Sequence, residues 1–155
     1  MERYGYAPLP VFSEPVESPV TMPKLAGEYP LLLTVSRNQY YYGTRSADHK
    51  WLRSRIPYPQ LQIHPSAAKE RGIKQGDNVV IGTPRGNFQH VAEVTDDVHP
   101  KVVNGTFGWW LPERKDRDRG SLEVNINAAM SYDAPYDPEV GINNVQNLMC
   151  QLRKA

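Results

Sequence analysis

The sequence predicts a mainly β protein, a small closed barrel with one or two short helices. About six short segments carry the apolar or alternating pattern that is typical of strands. Fourteen prolines and eleven glycines accompany them, which favours frequent turns over a helical bundle. The 155 residues, 39% of them hydrophobic, suit a single domain with one core. Closure of the sheet is favoured because it removes the unpaired edges that a small open sheet would expose.

The amino-terminal part of the chain differs in composition from the rest. Residues 1–28 contain the stretch PLPVFSEPVESPVTMP, and proline both lacks a backbone donor and holds its predecessor in an extended shape. We therefore expect a connecting arm that is not packed, followed by one domain over residues 29–155. No apolar stretch of the chain approaches the roughly 20 residues that a bilayer-spanning helix needs.

The first half of the domain predicts two strands and two short helical segments. YPLLLTVS is apolar and β-prone and predicts a strand, whereas SADHKWLRSRIPYP is polar and predicts at most two helical turns. QLQIH alternates apolar and polar residues, which is the period of a half-buried strand. SAAKERGI predicts a short helix with Ser66 as its N-cap and Gly72 as its stop.

The second half predicts a hairpin and two further strands. After a turn at Gly76–Asp77, NVVIGT and FQHVAEVT are strands joined by the turn PRGN. KVVNGTFGWW predicts a strand that ends on two tryptophans, and VQNLMCQLRK predicts a terminal strand with a buried, structural Cys150. Between these two, LPERKDRDRGS predicts a solvated loop, and the Asn- and Asp-rich residues 122–144 leave little room for regular structure.

Charge and residue types exclude several classes of function. A net charge of +1 provides no global field that would attract nucleic acid or an anionic membrane. The single cysteine excludes an internal disulfide and a Cys-based metal site, and the four histidines lack metal-ligand spacing. No nucleophile elbow, phosphate loop or catalytic carboxylate pair is recognisable. We therefore expect a protein that binds a ligand, catalyses nothing unaided and supplies no metal ligand.

The stretch SRNQYYYGTRS is the first candidate for a binding site. Arg37 and Arg45 present forked donors that match phosphate or carboxylate oxygens, and the Gly43–Thr44 pair adds a hydroxyl and a close backbone approach. Tyrosine rings can cover the face of a heterocycle. Together these residues indicate a site for a phosphorylated heteroaromatic ligand. In the alternative interpretation, Tyr40 and Tyr42 only pack on the barrel and the arginines are solvated.

Two further groups of residues are candidates for the same site. Trp109 and Trp110, after Gly108, can form the floor of a pocket or close the mouth of the barrel. Asparagines can read the edges of purine-like rings, since each side chain holds a donor and an acceptor, but they also occur in turns for local reasons. The asparagines in question are Asn125, Asn127, Asn143 and Asn144.

These segments together resemble a known family, the carboxy-terminal molybdopterin-dinucleotide-binding domain of the molybdenum and tungsten oxidoreductases (the dimethyl sulfoxide reductase family). The resemblance covers residues 29–154. HPSAAKERGIKQGDNVVIGTPRG is similar to the family pattern N-P-x-D-A-x-x-x-G-I-x-x-G-D-x-V-x-V-x-[ST]-x-R-G, with His64 in the Asn place and Ala67 in the Asp place. The matching positions include Gly72, Ile73, Gly76, Asp77, Val79, Arg85 and Gly86.

The binding motif of that family, G-R-x-x-x-H-x-x-T, is similar to SRNQYYYGT in this chain. Arg37 and Thr44 match, Ser36 replaces the glycine, and Tyr41 stands in the place of the histidine. The later N-x-L-T pattern of the family resembles NINAAM, and the family also uses an Asn, Gln or Lys near the last strand. The residues that the resemblance makes candidates at these two places are Asn125, Asn127, Asn143, Asn144 and Gln146.

The resemblance implies a double-psi β-barrel that binds the pterin–guanine dinucleotide of a molybdenum or tungsten cofactor. The metal and its redox chemistry would then belong to the rest of a parent catalytic subunit, which is the implied partner and which also sets the compartment. The chain by itself is expected to be an inactive monomer that binds no nucleic acid. The alternative is a double-psi barrel that recognises peptides, similar to the amino-terminal domains of some hexameric ATPases. The predicted cofactor-binding residues are Ser36, Arg37, Tyr41, Gly43, Thr44, Arg45, Trp109, Asn125, Asn127 and Asn144.

Overall fold

The computed structural model describes residues 5, 9, 12, 14–130, 132, 136, 141, 143 and 146–155. Six strands close into one barrel in the order β1-β5-β2-β4-β3-β6. Two neighbouring pairs, β1 with β5 and β2 with β4, are parallel, and the other four are antiparallel. This architecture confirms the predicted mainly β, double-psi barrel. The strands are Leu31–Ser36 (β1), Gln60–Ile63 (β2), Asn78–Thr83 (β3), Gly86–Val94 (β4), Val102–Thr106 (β5) and Leu148–Lys154 (β6).

Alternate side chains of the strands fill the interior of the barrel. Leu33, Leu61, Ile63 and Ile81 are fully buried, and Phe88 is 1% exposed. Their spacing follows the period of two that places successive side chains on opposite faces of a strand. Each such side chain contributes about 1.5–3 kcal/mol by leaving water, so the interior is what holds the closed sheet together.

Short helices connect the strands, and the structure has more of them than the one or two that were predicted. Within the described residues none is long and apolar enough to cross a membrane. A helix of six residues or fewer has no stability of its own, so each of these depends on packing against the barrel. They are Pro23–Glu28 (α1), Lys50–Arg55 (α2), Pro65–Glu70 (α3), Ser121–Val124 (α4) and a 3-10 helix at Ile126–Ala129.

The Asn-rich region begins with regular structure, which corrects the prediction for its first part. α4 starts after Gly120, whose φ of +67° gives the left-handed turn that glycine adopts without strain. The 3-10 helix starts after Asn125, whose side-chain oxygen accepts a hydrogen bond from Asn127 N at 3.0 Å. The same property that favours asparagine in loops, a side chain that bonds its own backbone, here caps a helical turn.

The sequence predicted Ser66 as the N-cap of α3, but the cap in the structure is His64. The helix begins at Pro65, because proline is favoured in the first turn, where its missing N–H is no loss. The residue before it is therefore the cap, and His64 Nδ1 accepts from Ser66 N at 3.2 Å. The predicted stop is confirmed, since Gly72 follows the helix with φ of +63°.

The proline-rich segment is packed in its second half, which contradicts the expectation of a free arm. Glu17 and Ser18 are 3% and 5% exposed. Ser18 Oγ accepts from Val20 N and Thr21 N at 3.1 and 3.2 Å, so a turn forms in front of α1. The prolines leave side chains such as Glu17 free to bind the barrel. The domain boundary at residues 28 and 29 stays a prediction.

Cys150 is fully buried in β6, as the sequence predicted for a structural thiol. Burial raises the pKa of the thiol to about 12. Only the thiolate reacts with alkylating agents, so at pH about 8 the folded chain presents on the order of one thiolate in 10,000 molecules. We expect iodoacetamide to modify Cys150 only after unfolding in urea, as mass spectrometry would show. Rapid modification of the folded chain would contradict this burial.

Candidate functional site

The loops that carry the candidate site lie at one end of the barrel, which we call the loop pole. It is formed by the carboxyl ends of β1, β3 and β5 and the amino ends of β2, β4 and β6. The register shows this directly, because Ser36 pairs with Thr106 and Thr83 with Gly86. The loops that carry the predicted binding residues all leave the barrel here. The sheet thus brings segments that are far apart in sequence to one end of the molecule.

The loop after β1 divides its three tyrosines by burial. Tyr41 is 6% exposed, whereas Tyr42 is 75% exposed. The Tyr41 hydroxyl donates to Ile56 O at 2.8 Å, and its ring meets the Trp109 ring edge to face with centroids 5.0 Å apart. The alternative interpretation is therefore wrong for Tyr42 but not for Tyr40, which is half-buried and packs with Tyr41 against Trp109 and Val124.

The environment of Tyr41 keeps it neutral. Burial raises the pKa of its hydroxyl, and the nearby Arg53 only partly offsets this. The hydroxyl already donates to Ile56, so Tyr41 contributes a fixed ring and not a free donor. Arg53 lies over the Trp109 ring, 5.4 Å from the centroid, and pairs with Glu113 at 2.9 Å.

The loop after β1 is joined to the loop after β5 by close backbone contact. Trp110 Nε1 donates to Thr44 O at 2.8 Å. Gly108 has φ of +61°, and a Cβ on it would lie 2.5 Å from Thr44 Cγ2. Residue 108 therefore has to be glycine for both its conformation and its space. On the other side, a Cβ on Gly43 would lie 3.8 Å from Phe107 Cε1, so the two loops form one layer.

A groove of about 300 Å³ at the loop pole is lined by Ser36 and Arg37 together with polar side chains of β2, β4 and β5. Asn104 Nδ2 lies 2.8 Å from both Ser36 Oγ and Gln62 Oε1. Arg37 is exposed, and its guanidinium makes no ion pair within the described part of the chain. This groove therefore combines a free forked cation with fixed amide and hydroxyl groups and the Glu93 carboxylate.

A second cavity, of about 620 Å³, is lined by Trp109, Trp110, Asn125 and the charged residues Arg117 and Arg119, among others. Asn125 Nδ2 lies 3.4 Å from Trp109 O. Trp109 is 2% exposed, and its Nε1 has no hydrogen-bond partner among the described residues. Arg119 lies over Trp110, 5.8 Å from the ring centroid. The tryptophans thus border a cavity, and Trp109 packs in a small cluster with Tyr41 and Val124 that is separate from the barrel core.

The predicted site residues therefore fall into three groups at the loop pole. Ser36 and Arg37 line the groove, and Trp109 and Asn125 line the cavity. Tyr41, Gly43 and Thr44 lie where the loop after β1 contacts the loop after β5, and they line neither of these two spaces. Arg45 lies 5.9 Å from the ring centroid of Tyr42, and Asn127 is exposed. Asn144 lies outside the described residues.

Sequence reasoning missed Asn104, Gln60, Gln62 and Arg53. The first three are half-buried polar positions of β5 and β2 that line the groove. Their alternation with buried residues was visible in QLQIH, but the pairing of β2 with β5 was not. Arg53 lies on α2, and nothing in its local sequence indicates that it packs on Trp109.

Arg114, Asp116 and Glu123 form a cluster of ion pairs beside the cavity. Arg114 bonds Asp116 and Glu123 at 3.1 Å each. The hydrogen bond from Arg114 lowers the pKa of Asp116 to about 2. These groups satisfy one another, which leaves Arg117 and Arg119 as the cations that face the cavity. Among the described residues, no group of three or more His, Cys, Asp or Glu side chains could hold a metal ion.

Comparison with known families gives a match over most of the barrel. Residues 31–149, from the first residue of β1 into β6, match the family described as "Molydopterin dinucleotide binding domain". The matched range contains both the groove and the cavity. It also contains every residue that the sequence predicted to bind the cofactor.

Individual relatives are much longer than this chain. A dopamine dehydroxylase of Eggerthella lenta is 33% identical over 148 residues, which cover 95% of this chain and 14% of that protein. An acetylene hydratase of Syntrophotalea acetylenica is 28% identical over 156 residues, covering 94% and 21%. The solved structure of acetylene hydratase from Pelobacter acetylenicus superposes with a TM-score of 0.91 at 26% identity, covering 99% of this chain and 22% of that one.

Proposed function

Because the chain belongs to the molybdopterin dinucleotide-binding domain family, we propose that its ligand surface is the loop pole and that Arg37 contacts the dinucleotide. The ligand is the pterin–guanine dinucleotide of a molybdenum or tungsten cofactor. The family match favours this function over peptide recognition by a barrel of the same fold.

The observation that carries the assignment of the surface is the unpaired Arg37 beside a polar groove. An exposed arginine without an ion pair has its forked donors available for the oxygens of a diphosphate, which it can bind in a bidentate manner. Ser36 and Asn104 hold each other at 2.8 Å next to it. These neutral groups can exchange hydrogen bonds with a ligand at little cost, since they already lie at the surface.

The larger cavity suits the heteroaromatic part of a dinucleotide. Trp110 and Arg119 offer flat faces, and the Asn125 carboxamide lines the same cavity, 3.4 Å from Trp109 O. The buried N–H of Trp109, which lines this cavity, has no hydrogen-bond partner within the described residues, so a ligand oxygen would supply the missing acceptor. We keep Asn127, Arg45, Gly43 and Thr44 as contact residues of the same surface, and we assign Tyr41 a supporting role under the loop. Asn144 stays a predicted contact residue.

When it is bound, the cofactor supplies the redox-active metal, and this chain supplies binding and orientation. The groove and cavity contain arginines, amides, indoles and the separate carboxylates of Glu93, Asp48 and Asp118, but no cluster of metal ligands among the described residues. The donor set therefore fits the organic part of the cofactor. We propose that the metal is held by other parts of a longer protein.

We further propose that the chain is one domain of a larger catalytic subunit. It spans between 14% and 22% of the relatives compared above. The remainder of such a subunit is then its partner, and the reaction and substrate belong to that remainder.

The test is the replacement of Arg37 by alanine in the full-length subunit that contains this chain. Loss of a charged hydrogen bond is worth about 1.5–3 kcal/mol, so we expect cofactor affinity to fall about 10-fold or more. The measurement is the molar ratio of pterin dinucleotide to polypeptide after gel filtration, together with the molybdenum or tungsten content.

The matched control is Arg55→Ala. Arg55 is also an exposed arginine, but it lies on α2, over the Trp51 ring at 5.3 Å, and lines neither the groove nor the cavity. Arg53 would be a poor control, because it is packed on Trp109. Equal cofactor content in the Arg37→Ala and Arg55→Ala proteins would refute the proposed role of Arg37.

A further inference from the structure

The segment before the barrel carries a buried acidic side chain. Glu17 is 3% exposed. It lies near the start of residues 15–30, a segment that leads through α1 into β1 and that we call the strap. Thr21 Oγ1 donates to Val16 O, and Met22 N donates to Ser18 O, both at 2.8 Å, so the strap is closed locally. A buried carboxylate is costly unless it is paired and hydrogen-bonded. The hydrogen-bond partners of the Glu17 carboxylate therefore show which elements the strap is attached to.

The Glu17 carboxylate joins the strap to β6. Its Oε1 accepts from Met149 N at 3.1 Å, in a buried hydrogen bond. Pairing of β3 with β6 ends at Gly82 and Gln151, so the Met149 N–H lies beyond the end of that ladder. Glu17 supplies the acceptor that a longer β3 would have provided, because a buried backbone donor has to be satisfied.

The other carboxylate oxygen joins the strap to the turn between β3 and β4. Glu17 Oε2 accepts an ion-pair hydrogen bond from Arg85 Nη2. Arg85 and Pro84 are the two residues that connect the strands. One side chain thus fastens a segment of the amino terminus to two elements at the loop pole.

This turn supports the 3-10 helix at Ile126–Ala129. Thr83 Oγ1 donates to Ala129 O at 2.7 Å in a buried bond. A Cβ on Gly86 would lie 2.5 Å from Ala128 O, so the backbone at Gly86 packs directly against the backbone of the 3-10 helix. There is no gap to absorb a shift, and a displacement of the turn therefore moves the helix.

We infer that Glu17 is a positioning residue of the cofactor surface. It fixes Arg85 and the β3–β4 turn, the turn fixes the 3-10 helix, and Asn125, the cap of that helix, lines the larger cavity. The inference rests on the proposed function. It assigns the strap a role in ligand binding although the strap lines neither the groove nor the cavity.

The test compares Glu17→Gln with Ile73→Ala in the full-length subunit. Glutamine keeps an acceptor for Met149 N but removes the charge that holds Arg85. Ile73 is 4% exposed and lies at the opposite pole, so its truncation destabilises the barrel without touching the strap. Three quantities are measured: the thermal midpoint, the hydrogen exchange of the Ala128 and Met130 amides, and the pterin dinucleotide bound per polypeptide.

For Glu17→Gln we expect exchange of these two amides to rise by about an order of magnitude and the bound dinucleotide to fall. For Ile73→Ala we expect a lower thermal midpoint but unchanged exchange of these two amides and unchanged bound dinucleotide. If glutamine at position 17 prevents folding, Arg85→Lys serves instead, since it keeps the charge and loses the forked geometry.

Three outcomes overturn the inference. The first is unchanged exchange in the Glu17→Gln protein, and the second is equal loss of dinucleotide in the Ile73→Ala protein. The third is faster exchange with full dinucleotide content while Arg37→Ala lowers that content. If neither Arg37→Ala nor Glu17→Gln changes the content, the proposed function fails together with the inference.

Discussion

Lowering the pH from about 7 to about 4 is expected to reduce the free energy of unfolding by about 3 kcal/mol through His90 alone. His90 is 1% exposed inside the barrel, where its ring meets Phe88 edge to face at 4.8 Å. Its Nε2 donates to Val124 O at 3.0 Å, so the proton of the neutral ring lies on that nitrogen. Burial lowers the pKa of the imidazole from 6.5 to about 4.

The direction follows from which state binds the proton. In the unfolded chain His90 protonates near its ordinary pKa of 6.5, whereas in the folded chain it resists protonation until about 4. Between these values the unfolded state holds more protons, so falling pH favours it. The full stability is therefore present above about pH 6.5 and is lost progressively down to about pH 4.

Urea unfolding of the 155-residue chain at a series of pH values measures this loss. The His90→Gln protein should show a much flatter dependence between pH 6.5 and 4, whatever its stability at neutral pH. Replacement of the exposed His99 by glutamine is the control for the removal of a histidine, so the difference between the two variants isolates the contribution of His90. A histidine proton resonance of folded wild-type protein that titrates near 6.5 and belongs to His90 would contradict the prediction.

Replacing Gly86 by alanine is the substitution with the largest expected effect on the loop pole, with a loss of stability of about 3 kcal/mol. The added Cβ would lie 2.5 Å from Ala128 O, and the obstructing atom is backbone, which cannot rotate away as a side chain can. Either the β3–β4 turn or the 3-10 helix has to move. The buried bond from Thr83 to Ala129 O is expected to break as a consequence.

Gly82→Ala is the matched control, because it lies in the same strand pair. A Cβ there would meet only the Gln151 side chain, at 3.7 Å, which is an ordinary contact. Thermal or urea unfolding of the two variants measures the loss of stability that each substitution causes. Equal stability of the Gly86→Ala and Gly82→Ala proteins would show that the turn and the 3-10 helix have room to separate.

Much of the fold was predictable from local patterns. NVVIGT, PRGN and FQHVAEVT predicted a hairpin that the structure contains as β3 and β4, because alternation and turn residues act over a few positions. The helix stop at Gly72 and the buried Cys150 were predicted for the same reason. The cap of α3 was misassigned because the serine hydroxyl is a stronger local signal than a histidine before proline.

The candidate site was predictable only as a set of residue types. The motif SRNQYYYGT indicated a binding loop, but which tyrosine is buried depends on Trp109, which is distant in sequence. The free arm was predicted wrongly because proline content reports on backbone and not on Glu17. Its burial depends on Met149 and Arg85, and neither residue is near it in the chain.

The sequence by itself determined the strands, the hairpin and the family, since periodicity, turn chemistry and motif spacing are local properties of the chain. Tertiary structure alone decided that Arg37 is left unpaired beside a groove, that Trp109 and Asn125 border a separate cavity, and that Glu17 fastens the strap. The physical reason is that these features depend on closure of the barrel, which brings residues more than a hundred positions apart within hydrogen-bond distance.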